Sequence, residues 1–210
     1  MFRLVIGNKN LSSWSLRPWL VLKALAEPFE EVQIDLRADD VGARIRAVSP
    51  TGKIPVLYDR NLVIPDSLAI CEYLAECFPA AQLWPVGSDE RAQARALCAE
   101  MHAGFTALRE RMPMEICARP PLPDMTPQLE RDIRRVLAIW QEQRNRHKVS
   151  GPFLFGHFTI ADAFFAPVAC RFVSYGVQLP QVARDYVDTL FALPAMQEWL
   201  AAAERETAGA

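Results

Sequence analysis

"KIPVLYDRNLVIPDSLAI", residues 53–70, carries two apolar runs, "PVLYD" and "LVIPD", set back to back around Asp59 and Arg60, and leads into a helical stretch over 66–77. Short runs rich in Val, Ile, Leu and Tyr on either side of a charged break predict an antiparallel hairpin. Upstream, "FRLVI" reads as a strand, 13–26 as a helix, "FEEVQID" as a second strand and 39–47 as a short helix. The order is therefore βαβ, a helix, then ββα. A parallel pair joined through a helix, followed by a hairpin and a closing helix, predicts a mixed sheet with helices on its faces.

That order fits a thioredoxin-like α/β domain over residues 1–78. Next, "FPAAQLWPVGSDE" holds two prolines, a glycine and no alternating run, which makes 79–88 a linker. From residue 89 to 210 no segment reads as a strand. Helices are expected at 89–112, 126–146, 160–175, 181–192 and 194–204, broken by Pro113, the "PPLPDMTP" loop and Pro180. The second domain should be all-helical.

With 210 residues, 51% hydrophobic content and a net charge of −2, the chain has enough apolar material for sizeable cores. Arg131, Arg134 and Arg135 lie on an otherwise acid-balanced helix and read as a solvated face, so no nucleic-acid partner is expected. No apolar stretch approaches the ~20 residues of a membrane span, and the start "MFRLVIGN" has no cleavage-site pattern. A cytoplasmic protein without membrane association is the expectation. Five cysteines without CxxC spacing read as reduced, mostly buried thiols. His102, His147 and His157 lack the spacing of a metal cage, so no metal is expected.

Three stretches of the first domain could carry chemistry. In "SSWSLRPW" (12–19), a helix beginning near Ser13 leaves Ser12 in the loop at the positive end of the helix dipole. There it either caps the helix or donates to an anion. In "SPTGKIPVL" (49–57), Pro55 stands where a strand should start. It either fixes a cis bond that turns the Ile54 backbone towards an extended peptide, or simply ends a loop at a sheet edge. In "LVIPDSLAI" (62–70), Asp66 and Ser67 either cap a helix or form, with its free amides, a carboxylate cradle. A fourth stretch, "HFTIADAFF" (157–165), places Thr159 and Asp162 in the spacing of a capping box, a folding signal.

With these motifs in this order, the chain resembles a cytosolic glutathione transferase over essentially its whole length. "SSWSLR" is most similar to the serine-type, zeta-like "SSCS" pattern, in which the serine stands five positions before an arginine, as Ser12 does before Arg17. The resemblance implies a thioredoxin-like domain that binds glutathione as co-substrate and a helical domain that supplies most of the pocket for a small hydrophobic or acidic electrophile. It implies that Ser12 hydrogen-bonds the glutathione sulfur as a donor, and that Ile54 binds the cysteinyl backbone beside a cis Pro55. Asp66 and Ser67 would hold the γ-glutamyl end and Lys53 the glycyl carboxylate. It implies a homodimer, and it matches Thr159 and Asp162 to the buried capping box of the family's second domain.

Trp14 stands where the zeta pattern has cysteine. This departure argues against thiol–disulfide chemistry and weakens any carry-over of maleylacetoacetate isomerase activity. For the second-substrate pocket the expected residues are Trp14, Met101, His102, Phe105, Arg109 and Phe172, each of which also fits ordinary core packing. His102 and Arg109 are expected one heptad apart on the 89–112 helix. A free thiol titrates at about 8.5, so the site must favour the anion, through the Ser12 hydroxyl, the helix dipole and nearby amides. Glutathione-dependent isomerisation or peroxide reduction, and a non-catalytic regulator that keeps the fold, are the competing functions.

Overall fold

The computed structural model describes residues 1–208. Its sheet has four strands, β1 (Phe2–Gly7), β2 (Phe29–Ile34), β3 (Val56–Asp59) and β4 (Leu62–Pro65), in the order β2-β1-β3-β4. β1 and β2 are parallel, with Val5 opposite Val32; β1 with β3 and β3 with β4 are antiparallel, with Leu57 opposite Leu4 and Ile64. The hairpin turns at Arg60 and Asn61, one residue later than the sequence spacing indicates, because Asp59 still pairs with Leu62 and Arg60 takes φ 53°.

Alternation along the strands sorts the core into two layers. Leu4, Ile6 and Leu57 pack under α1 (Ser13–Ala24) and α3 (Ser67–Cys77), whereas Val5, Ile34 and Val56 pack under α2 (Val41–Val48). α2 contributes only half-buried Val41, Ile45 and Val48. α1 is enclosed from Ser15 to Leu22, since it lies between the sheet and the helical domain.

The helical domain comprises α4 (Ser88–Ala103), α5 (Thr106–Arg111), α6 (Pro127–His147), α7 (Ile160–Ser174), α8 (Gln181–Phe191) and α9 (Pro194–Ala208). The single helix expected over 89–112 is two helices. α4 ends where the Gly104 amide donates to Glu100 O at 2.8 Å, so close that a Cβ at Gly104 would stand 2.8 Å from that carbonyl oxygen. Phe105 then takes a left-handed φ of 58°. Arg109 reaches back from α5 and donates to the carbonyls of Met101, His102 and Gly104, which satisfies the orphan acceptors at the end of α4.

α7 is the helical domain's central rod, buried from Ile160 to Phe172. Its start is fixed by Asp162, whose carboxylate accepts from Thr159 N (2.8 Å), Thr159 Oγ1 (3.1 Å), Leu154 N (3.0 Å) and Tyr186 Oη (3.0 Å). Between the domains, Leu83 and Trp84 are buried, and Trp84 Nε1 donates to Glu72 of α3 at 2.9 Å. The sheet face under α1 and the helical domain consequently share one continuous apolar core. Among the described residues no helix is long and apolar enough to cross a membrane.

Candidate functional site

A cleft of about 780 Å³ opens where the first turns of α1 and α3, the loop before β3 and the last turn of α4 meet. Lys53, Ile54, Pro55, Asp66 and Ser67 line it together with Trp14 and His102, and His102 Nε2 contacts Asp66 Oδ2 at 3.0 Å. Ile45, Thr51 and Gly52 complete the lining; no motif marks them, although Thr51 and Gly52 precede Lys53 in the quoted "SPTGKIPVL".

The wall is built locally. Ser49 Oγ donates to Lys53 O at 2.6 Å and accepts from Lys53 N at 3.3 Å, closing the turn in which Gly52 takes φ 67°. The Ile54–Pro55 peptide is cis. Strand pairing begins at Val56, which leaves half-buried Ile54 just outside the ladder, on the cleft wall.

Asp66 carries three duties. It holds φ 85°, a region costing a non-glycine residue about 1–3 kcal/mol. Its Oδ1 caps α3 by accepting from Leu68 N (2.8 Å) and Ala69 N (3.1 Å), and its Oδ2 lies 3.0 Å from His102 Nε2 on α4. Beside it, Ser67 is buried, and its hydroxyl has no hydrogen-bond partner among the described residues. His102 packs edge-on against Trp14, ring centroids 5.2 Å apart. Burial holds its pKa below the ordinary histidine value, helped by the positive charges of Arg17 and Arg109 and opposed by Asp66. Nε2 faces the Asp66 carboxylate, and the buried Nδ1 has no partner among the described residues.

At the start of α1 the serines divide. Ser12 occupies the N-cap position but caps no amide: its hydroxyl donates to Ser15 Oγ at 2.7 Å, which also accepts from Gly7 N at 3.2 Å. Ser13 begins the helix, and its Oγ accepts from Arg171 Nη2 at 3.2 Å. Trp14, not Ser12, reaches the cleft lining. Behind Trp14, Arg17 lies fully buried between two rings, its Cζ 4.2 Å from the Trp14 centroid and 4.5 Å from that of Phe164. Burial, with the charges of Arg171 and Arg109, brings its pKa down to about 9.

Four residues expected in the second-substrate pocket are not among those lining this cleft. Met101, Phe105 and Phe172 are core residues, 1%, 7% and 0% exposed; Phe172 packs edge-on against Trp140. Arg109 is engaged with the carbonyls ending α4, with its guanidinium 5.2 Å from the Trp14 ring. Helical periodicity marks a face without saying whether it meets a cavity or another helix. Reading the sequence also missed buried Arg17 and Arg171; the signal available for Arg17 was a charge set inside the apolar run "LRPWLVL".

Comparison with known proteins agrees with this architecture. Residues 11–77 match the glutathione S-transferase N-terminal domain, and residues 91–202 match the glutathione S-transferase C-terminal domain. The chain is 31% identical over 163 residues to glutathione S-transferase GstA of Escherichia coli O157:H7, covering 73% of this chain and 75% of that one. It is 32% identical over 100 residues to a probable maleylacetoacetate isomerase of Caenorhabditis elegans, an alignment covering 48% of this chain and 46% of the isomerase. The crystal structure of a glutathione transferase homolog from Burkholderia, with bound glutathione, matches 97% of this chain at 25% identity, covers 98% of its own chain and gives a TM-score of 0.74. Between them the two domain matches span both the α/β and the helical halves, and the chain belongs to the glutathione S-transferase family.

Proposed function

We propose that this protein binds glutathione in the cleft and holds its thiol as the thiolate for attack on a small hydrophobic or acidic electrophile. The observation that carries the reading is the buried Ser67 hydroxyl, without a partner among the described residues, beside Asp66 at the N-terminus of a helix lining the cleft. A buried hydroxyl without a partner costs about 1–3 kcal/mol, a cost that a bound carboxylate removes. The γ-glutamyl carboxylate meets the Ser67 hydroxyl and amide, and the γ-glutamyl ammonium meets the Asp66 carboxylate. The Ile54 N–H and C=O pair with the cysteinyl backbone beside cis Pro55, and Lys53 faces the glycyl carboxylate.

This pose sets the sulfur near the first turn of α1, where the Ser12 side chain leaves the amides uncapped. Ser12 becomes the sulfur's donor by turning its O–H away from Ser15. The exchange is favourable because a hydrogen bond to an anion is about twice as strong as one between neutral groups. Trp14, backed by Arg17, forms the apolar side of the electrophile's place. With tryptophan at the position of the zeta cysteine, the reading is of a serine-type enzyme. It acts as a cytoplasmic homodimer, as the resemblance implies.

The test is the ultraviolet titration of the bound glutathione thiol. The wild type should show a pKa below the free-thiol value of about 8.5. Ser12→Ala should raise it, with a 10- to 150-fold loss in rate for roughly 1.5–3 kcal/mol. Ser13→Ala run alongside tells the two serines apart. No thiolate signal at saturating glutathione overturns the reading in favour of a non-catalytic binding protein.

A further inference from the structure

The loop that presents Ser12 is held by the far end of the chain. Lys9 and Asn10, between β1 and α1, are 8% and 2% exposed, so their backbone groups need protein partners. α9 supplies most of them. Glu206, in the last turn of α9, accepts from Lys9 N at 2.8 Å through Oε1 and from Asn10 N at 3.0 Å through Oε2. Trp199, two turns earlier on the same face of α9, donates from Nε1 to Lys9 O at 2.9 Å. The loop between α5 and α6 completes the set, with Ile116 N donating to Asn10 O (3.2 Å) and Cys117 N to Asn10 Oδ1 (2.9 Å).

Inside the loop, Asn8 O accepts from Leu11 N (3.1 Å) and Ser12 N (2.8 Å), a tight turn whose outward amides are those of Lys9 and Asn10. A carboxylate gripping two consecutive amides fixes the orientation of such a turn, and with it Ser12, whose N–H closes the turn on Asn8 O. Gln33 Nε2 donates to Glu206 Oε1 at 2.6 Å and locks the carboxylate against β2.

We infer that Glu206 is a positioning residue for the reaction: from the C-terminal helix, it sets the β1–α1 loop so that Ser12 and the first-turn amides of α1 meet the glutathione sulfur. The inference rests on the function proposed above. It is tested with Glu206→Ala and Glu206→Gln, using Glu198→Gln as control. Glu198, also on α9, pairs with Lys23 of α1 at 2.7 Å, so its substitution removes another α9 tether without touching the loop.

Two measurements are made: hydrogen exchange at the Lys9 and Asn10 amides without ligand, and the thiol pKa of bound glutathione. Glu206→Ala should speed exchange at both amides about tenfold and lower the thiolate fraction at neutral pH by a similar factor, as loss of a charge-assisted hydrogen bond implies. Glu206→Gln keeps the volume and one acceptor oxygen, folds if the alanine variant does not, and should show a smaller change in the same direction. Glu198→Gln should change neither. Unchanged exchange in both Glu206 variants overturns the inference, and so does faster exchange with an unmoved thiol pKa, which leaves Glu206 a merely structural clasp. A wild type without any thiolate signal overturns the functional reading and the positioning role together, an outcome distinct from either.

Discussion

The starts of α3 and α7 use the same chemistry to opposite ends. Each is an aspartate beside a hydroxyl residue at a helix N-terminus, Asp66 with Ser67 and Asp162 with Thr159. At α7 every polar group is answered: Asp162 accepts from four donors, and Thr159 is fully enclosed. At α3 the account stays open: Asp66 sits at φ 85°, and among the described residues the buried Ser67 hydroxyl, lining the cleft, has no partner. A satisfied polar cluster in a core fixes a fold, whereas a strained and unsatisfied one beside a cavity is prepared for a ligand.

The largest effect is expected at the closed end. Asp162→Ala orphans the amides of Leu154 and Thr159 and the hydroxyls of Thr159 and Tyr186 inside the buried core. The variant should lose about 3–5 kcal/mol of unfolding free energy in urea, as breaking buried charged networks does. A loss under 1 kcal/mol would mean that α7 is held by packing alone, and the contrast between the two helix starts would lose its basis.

At the open end the signs reverse. Ser67→Ala removes a hydroxyl without a hydrogen-bond partner among the described residues, so stability should stay within about 0.5 kcal/mol or rise. Glutathione binding, measured by calorimetry, should weaken by about tenfold or more, since a hydrogen bond to a carboxylate is lost. Stability falling as far as binding would make Ser67 a structural residue. Asp66→Gly sharpens the same point: glycine relieves the strain at φ 85° while losing the cap, two effects of about 1 kcal/mol each that oppose. Stability should therefore change little, while the contact to His102 and the affinity for glutathione both go.

The contrast also explains what the sequence disclosed. The βαβ, α, ββα order was legible because apolar alternation is local, and Ile54, Pro55, Asp66 and Ser67 stand within fourteen residues on one hairpin and its next helix. The capping spacing of Thr159 and Asp162 was legible for the same reason. Leu154 and Tyr186, which complete the carboxylate's shell, were not, because tertiary packing brings them in. The break between α4 and α5 was hidden because it depends on Arg109 folding back onto carbonyls and on a left-handed phenylalanine that no local preference favours. Met101 and Phe172 show the same limit: a periodic face records that something is buried, not what buries it.

The smallest effect is the dependence on pH at the bridge between the two domains. His102 titrates below its ordinary value in the folded protein, chiefly through burial, so the unfolded chain takes up the proton first. The stability this confers is present above the unfolded value of about 6.5 and is lost as pH falls through the lower folded value. Asp162 works in the other direction: burial raises its pKa despite four hydrogen bonds, so its contribution weakens as pH rises through the folded value. His147, also lowered by burial, follows His102 in sign. Replacing His102 with Gln should therefore flatten, without abolishing, the loss of thermal stability between pH 7 and the mildly acidic range, with His147 supplying the remainder. If the slope were unchanged in His102→Gln, the neutral, desolvated ring beside Asp66 would not be the form the folded protein holds, and His102 would belong with the solvent-facing residues of the cleft.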